Sequence, residues 1–446
     1  MPDITTIMII VILFVLAAGM TALSIRYFFV AIFLIVISSW FSALLAPPEA
    51  EFAESATAGI GSLLRVGILF LAGTAGVIRY FKLWPGHGGR IPVHLSLLAV
   101  FILFALISSR YSIDPQITLI RSASFLALFG FLIGLNSWIT GKNEFESTFL
   151  AIYGVIVLLI IVNFLSLILL PGRAWWRTDQ ARFQGLFDHP NTMGTFCMIA
   201  YPFLLWKLTK SRLSGKAIIL TLIILLGVMN VLTGSRSSLL AGLFGISLWF
   251  ALQKKFVKLS VMTGVSVLLL FAAVQLRPSA FERQEGQGLG SLTGRQEFWD
   301  GAYTLVKERP FTGYGYAVEG KIWLDPRYYD PNYTLWSGSA RTSLHNGYVS
   351  VAVGLGVFGL LSWLLIILLP VLRGLKQPAG EYKSVIFALI PTILILNMVE
   401  TAITGGNSME AIIFWIMWVM AGKLYVQDNI SLMEAARFYP VEIGNG

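Results

Sequence analysis

The stretch TGSRSSLLAG (233–242) sets an arginine, Arg236, between two strongly apolar runs. Three more charges, Arg65, Arg121 and Glu400, interrupt other apolar runs. A charge at the centre of a bilayer costs at least about 2.5 kcal/mol, so such residues face a cavity, a partner or the headgroup layer. Polar segments beside the apolar runs add Arg173, Arg177, Arg182, Arg295 and Arg341, with His189 and His345. Arginine presents a planar fork that binds phosphate oxygens bidentately and keeps its charge at any relevant pH. Such a set suits a phosphate held at a membrane surface, or charge building on a pyrophosphate leaving group. A neutral histidine nearby can accept or orient a proton. A lipid-headgroup site or an anion transporter would present a similar set. For Arg65 and Arg121 two plainer roles stand beside the chemical one: snorkelling to headgroups, or an Arg–Glu pair that fastens helices.

The elements that must position these residues are spans of a membrane. The chain has 446 residues, 56% hydrophobic and only 12% charged, with a mean hydropathy of +0.76. Soluble domains are about 45–50% apolar and about 25% charged. The class is therefore all-α, a polytopic integral membrane protein. Runs long enough to cross fall at 5–24, 27–46, 58–81, 92–109, 117–140, 147–171, 191–208, 217–233, 236–253, 256–275, 345–372, 384–402 and 408–425. This predicts 12–13 transmembrane helices, because only Ser24–Arg26 separates the first two runs. Segment 1–275 holds the first ten with the loop 172–190; 276–344 is one large outer loop; 345–446 holds the last spans and a short tail. The N-terminus lacks a basic n-region and a small-residue cleavage site, so it reads as a retained first span or hairpin, not a signal peptide. The single cysteine, Cys197, excludes an internal disulfide framework and a cysteine metal site.

Orientation follows from the short loops. RYFKLWPGHGGR, KLTKSRLSGK, QKKFVK and RGLKQPAGEYK are basic and alternate with poor ones such as PPEAEFAESA and TGGNS. Basic loops stay inside. The formal charge of +9 then needs no nucleic-acid partner. The loop 172–190, the turn at Gly234–Arg236, the loop 276–344 and the turn 403–407 fall outside, and Arg65, Arg121, Arg236 and Glu400 all lie near that face. His87 and His94 fall on the inner side, away from the chemistry. The long loop carries eight basic and eight acidic residues, so its arginines act individually, not as a basic patch. It has one helix-like run at 295–307 and is expected to fold over the membrane-embedded face as a lid. Gly313 and Gly315 read as a tight turn, and Gly354, Gly356 and Gly359 as small faces for helix packing. Tyr314, Tyr316, Trp323, Tyr328, Tyr329 and Trp336 suit either sugar stacking or an interfacial belt.

Four stretches together resemble a known family. RFQGLFDHPNTMGTF (182–196), TGSRSSLLA (233–241), GRQEFWDGAYTLVKERPFTGYGYA (294–317) and SLHNGYVSVAVGLGVFGLL (343–361) are similar, in order, to motifs of the O-antigen ligase and polymerase superfamily. The hydrophobic N-terminal half resembles that family only in pattern. The resemblance implies a multi-pass protein of the bacterial inner membrane with its active site facing the periplasm. It implies an inverting glycosyltransferase that moves a glycan from undecaprenyl pyrophosphate to an acceptor, with no cofactor and no metal. By position, Arg236 and Arg295 match the family's pyrophosphate-binding arginines and His345 its catalytic histidine. Arg182 matches the arginine before the seventh span.

Ser235, Arg341, Asn346 and His189 are further candidates for substrate contact. Ser235 could equally cap a helix, His345 could simply cap its helix or sit at the interface, and His189, before Pro190, could simply close a turn. Arg65, Arg121 and Glu400 form a possible intramembrane charge cluster. The expected partners are the lipid-linked donor, an acceptor that is a lipid-linked repeat unit (polymerase) or lipid A core (ligase), and membrane lipids, with other polysaccharide-assembly proteins as candidates. Protein-directed members carry a large C-terminal region, whereas this sequence ends about twenty residues after its final run. A transporter or flippase is the alternative. It predicts midplane charges and two related halves, neither of which the sequence contains.

Overall fold

The computed structural model describes residues 27–44, 60–83, 91–176, 182–261, 295–322, 344–378, 380–406 and 408–425, with isolated residues 19 and 264. Twelve principal helices lie among them: α1 Phe29–Leu44, α2 Ile60–Leu83, α3 Val93–Ile107, α4 Pro115–Trp138, α5 Lys142–Leu169, α6 Pro190–Lys210, α7 Leu213–Leu232, α8 Arg236–Leu252, α9 Arg295–Glu308, α10 Gly347–Leu375, α11 Glu381–Leu396 and α12 Met409–Gly422. The only extended pairing among the described residues is an isolated bridge between Trp175 and Phe183. The protein is an all-α polytopic membrane protein. Six helices, α2, α3, α4, α5, α7 and α10, are long and apolar enough to cross a bilayer, and α1, α8 and α12 are shorter apolar helices. The expected span 5–24 and most of 256–275 lie outside the described residues, as does the tail beyond 425.

α12 is the axis of the bundle. Met409 and every residue from Ala411 to Ala421 are buried, and the helix packs against α1, α4, α6, α10 and α11. A helix that is apolar all round suits a protein core or a lipid-facing span, and its burial here shows that α12 takes the core. Trp415 and Trp418 fill its flanks; the Trp418 indole donates to the Ile366 carbonyl at 3.0 Å. α2 and α4 make the closest crossing. Cβ atoms on Gly73 or Gly76 would strike the Ala127 and Gly130 carbonyls, and one on Gly130 would come within 2.8 Å of the Gly73 oxygen. Small residues let membrane helices pack backbone to backbone. Gly130→Leu is therefore expected to lower the melting temperature in detergent by several degrees, since overpacking costs about 1–3 kcal/mol; thermal unfolding read by fluorescence would measure it.

α10 is broken. Gly356 has φ 68° and ψ −171° inside it, conformations open mainly to glycine. The break is filled by the loop that precedes α10. Val357 N–H donates to the Pro310 carbonyl at 2.7 Å, Tyr314 N–H to Val353 at 3.0 Å and Gly315 N–H to Gly354 at 2.9 Å. The two glycine sets thus meet each other, which differs from the separate turn and packing roles expected of them. Tyr314 and Tyr316 are buried at 0% and 2% exposure, so both belong to the core and not to a sugar platform or an interfacial belt. The Tyr316 hydroxyl donates to the Thr404 carbonyl, and its own carbonyl accepts from Thr118 Oγ1 at 3.1 Å. Residues 313–318 of the loop are anchored inside the bundle, deeper than a surface lid, while Tyr303 and Phe311 before them are exposed.

α11 ends at Leu396, short of the expected 402. The cause is Asn397, fully buried, whose side-chain oxygen accepts from Ala402 N–H at 3.0 Å and Ile403 N–H at 3.2 Å. This turns the chain, so Glu400 sits on a link between α11 and α12 and not at the end of a span. The opposite end of the bundle is tied by Lys210 to Glu381 at 2.8 Å and by Gln253 to Ser384 at 2.8 Å. His94 lies there, packed edge-on against Trp418 and away from the site, as the sequence suggests.

Candidate active site

The site is assembled where α5–α6, α7–α8, α9–α10 and α11–α12 are connected. The link before α6 is shaped by α5: Asn163 Oδ1 accepts from Leu186 N–H at 2.7 Å, and Gly185, at φ 60°, lies flat against that side chain. Phe183 N–H donates to the Leu232 carbonyl at 2.9 Å, which joins this link to the end of α7. His189 is extended, as a residue before proline must be, and its Nδ1 accepts from Asn191 N–H at 3.0 Å. It caps α6, with its ring against Trp176, the turn-closing role that the sequence left open.

Arg182 is only 5% exposed. Its Nε donates to the Thr233 carbonyl at 2.7 Å and its Nη2 to Asn191 Oδ1 at 2.8 Å. These bonds fix the T-G-S-R turn against α6. In that turn Gly234 has φ 60°, and Thr233 Oγ1 accepts from Ser235 N–H at 3.1 Å. Ser235 occupies the N-cap position of α8 but makes no side-chain cap bond; its hydroxyl donates to Ser238 Oγ at 3.0 Å. Helix capping therefore does not account for it. Gly194 makes room, since a Cβ there would lie 2.9 Å from the Ser235 and Ser238 Cβ atoms. Arg236 is the first residue of α8 and half-buried. The amides of a helix start and a guanidinium together favour an anion.

His345 stands just before α10, with φ 49°. Left-handed backbone at a non-glycine residue costs roughly 1–2 kcal/mol and concentrates at functional positions. The flanking residues hold it there. The Leu344 carbonyl accepts from the Trp299 indole of α9 at 3.2 Å. Asn346 caps α10, its Oδ1 accepting from Tyr348 N–H at 3.0 Å and Val349 N–H at 3.1 Å. Gly347 N–H donates to the Asn397 carbonyl at 2.8 Å. On the imidazole, Nδ1 lies 3.0 Å from Glu400 Oε2. The other Glu400 oxygen accepts from Asn191 Nδ2 at 3.2 Å.

The charge cluster divides. Glu400 joins His345, while Arg65 lies within electrostatic reach of Arg121, Asp188 and Glu410. Arg121 also acts on Glu319 of the outer loop. Glu319 is buried, which pushes its carboxyl above the ordinary carboxylate range, with Arg121 and Ser350 of α10 opposing that rise. The structure brings His345, Glu400, Asn346, Arg182, His189, Ser235 and Arg236 to one end of the bundle. Arg295 begins α9, but its side chain lies outside the described residues, as do Arg177 and Arg341. Asn191, Asp188, Glu319 and Glu410 were not singled out from the sequence. Asn191 had a usable signal, since it lies inside the H-P-N stretch.

Fold and site together define a multi-pass membrane protein with histidine, carboxylate and arginine side chains gathered at one end. Residues 194–364 match the family model described as O-antigen ligase. This stretch of the chain is thus similar to the O-antigen ligase family, which supports the resemblance to the O-antigen ligase and polymerase superfamily and a glycosyltransferase-like enzyme. The match spans Arg236, Arg295 and His345. No curated protein matches the chain significantly.

Proposed function

We propose that the protein transfers a glycan from undecaprenyl pyrophosphate to an acceptor hydroxyl at the periplasmic face of the bacterial inner membrane, with inversion and without metal or cofactor. The family match carries this reading, supported by the His345–Glu400 pair at the mouth of α10. Arg236 and Arg295 grip the pyrophosphate. The acceptor oxygen attacks the anomeric carbon from the opposite face and forms the new glycosidic bond. The bond from that carbon to the pyrophosphate oxygen breaks, and the hydroxyl proton passes to His345. The pyrophosphate departs on its lipid, its charge held by the arginines. Periplasmic orientation is supported by the site lying at the end opposite Lys210 and its basic loop.

The favoured acceptor is a lipid-linked repeat unit, because the G-R-x-x-x-W and G-Y-G elements (294–299 and 313–315) resemble those of polysaccharide polymerases. Purified protein given the lipid-linked oligosaccharide alone, in EDTA, is expected to build a glycan ladder at an unchanged rate. Transfer only after lipid A core is added would make it a ligase. Loss of turnover in EDTA would remove the metal-free mechanism. No transfer to either acceptor would favour the transporter.

A further inference from the structure

We propose that Glu400 is the positioning residue of His345, and that Asn191 and Arg182 hold Glu400 in place, so that the turn carrying Arg236 sets the orientation of the proton acceptor. The inference rests on the reading of His345 as that acceptor.

Four side chains, from the link into α6 and the start of α6, the α11–α12 link and the entrance of α10, make one chain of hydrogen bonds. Arg182 Nε donates to the Thr233 carbonyl at 2.7 Å, and its Nη2 to Asn191 Oδ1 at 2.8 Å. Asn191 Nδ2 donates to Glu400 Oε1 at 3.2 Å. Glu400 Oε2 faces His345 Nδ1 at 3.0 Å. The polarity of each link is fixed by chemistry. A guanidinium only donates, so the Asn191 oxygen must face Arg182 and its amide nitrogen must face Glu400. An ionised carboxylate only accepts, so His345 Nδ1 must carry the proton. The lone pair of neutral His345 is then on Nε2, the atom that would receive the acceptor's proton.

The backbone makes such control necessary. His345 is held at φ 49° by its neighbours, and these contacts act on the main chain. Glu400 acts on the imidazole itself, with Oε2 3.0 Å from Nδ1. The same geometry gives Arg182 a positioning role three hydrogen bonds behind the base, beside the substrate contact expected of it.

The plainer alternative is that Glu400 only fastens α10 to the α11–α12 link, and a double-mutant cycle separates the two. In the ladder assay Glu400→Gln should lower kcat by at least about tenfold and leave KM for the donor nearly unchanged. In a His345→Ala background the same substitution should cost nothing further, because residues acting as one unit are not additive. A further loss that multiplies the first would overturn the proposal. A second readout does not depend on turnover. The chain has four histidines, so a 15N-histidine spectrum of the wild-type protein in nanodiscs is sparse, and His345→Ala assigns the signal. The Nδ1–H tautomer is expected at His345, with loss of that preference in Glu400→Gln and in Asn191→Asp. An Nε2–H tautomer in the wild type would overturn the proposal even in an active enzyme. The expected tautomer in a protein that transfers no glycan would instead overturn the proposed function, and with it the positioning role.

Discussion

His345→Ala is expected to lower glycan transfer by about 100-fold or more, the range for loss of a positioned general base. The ring is the exposed partner of its pair: its side chain is 31% accessible against 18% for Glu400. It can therefore meet a substrate hydroxyl while Glu400 stays behind it. Removing the ring takes no side chain out of the core. The backbone offers an independent check. Alanine keeps the left-handed strain at φ 49°, whereas glycine relieves it. His345→Gly should be as inactive as His345→Ala yet melt higher, by a margin on the order of 1 kcal/mol. A variant that is more stable and inactive is what a residue kept for chemistry predicts. Initial ladder rates and thermal unfolding on the same preparations would measure both. Near-normal transfer by His345→Ala would remove His345 from the reaction.

Arg236→Ala is expected to reduce the rate by about 100- to 1,000-fold, as for a lost donor to developing negative charge. Arg236→Lys should recover only part of it. Lysine keeps the charge but loses the planar fork that takes two phosphate oxygens at once. Alanine is the best helix former, so α8 should still begin where it does, and Ser235–Ser238 packing at 3.0 Å should persist. The loss should fall mainly on kcat, because the pyrophosphate gains charge as its bond to the sugar breaks. A variant with raised KM and unchanged kcat would instead make Arg236 a simple binding contact.

Much of the bundle is readable from the sequence because bilayer thickness fixes the length of apolar runs. α3, α4, α7 and α10 lie within a few residues of their expected bounds. Arg236 is also legible, because a charge flanked by serines between two apolar runs has few explanations. What escapes prediction is pairing at long range. Glu400 looks like one more buried charge until the fold brings it to a histidine 55 residues earlier and an asparagine 209 residues earlier. The structural bonds of Arg182 to Thr233 and Asn191 are likewise silent in the sequence. The early end of α11 depends on one buried amide, Asn397, inside an otherwise apolar stretch. The glycines 313, 315, 354 and 356 suggest turns and packing separately, and only the fold shows that they meet.

The splice between the outer loop and α10 bears on how the chain is made. The three amides that Val357, Tyr314 and Gly315 satisfy across the break belong to two segments delivered to the bilayer at different times. Segment 310–315 precedes α10 and leaves the ribosome first. It must wait at the same end of the bundle until the first half of α10 follows. Until the two meet, the break at Gly356 leaves backbone groups without partners in a medium that supplies none. Insertion of α10 and docking of the loop before it therefore form one event of biogenesis, and a protein cut or shortened between 310 and 315 should be caught by membrane quality control before any question of turnover arises.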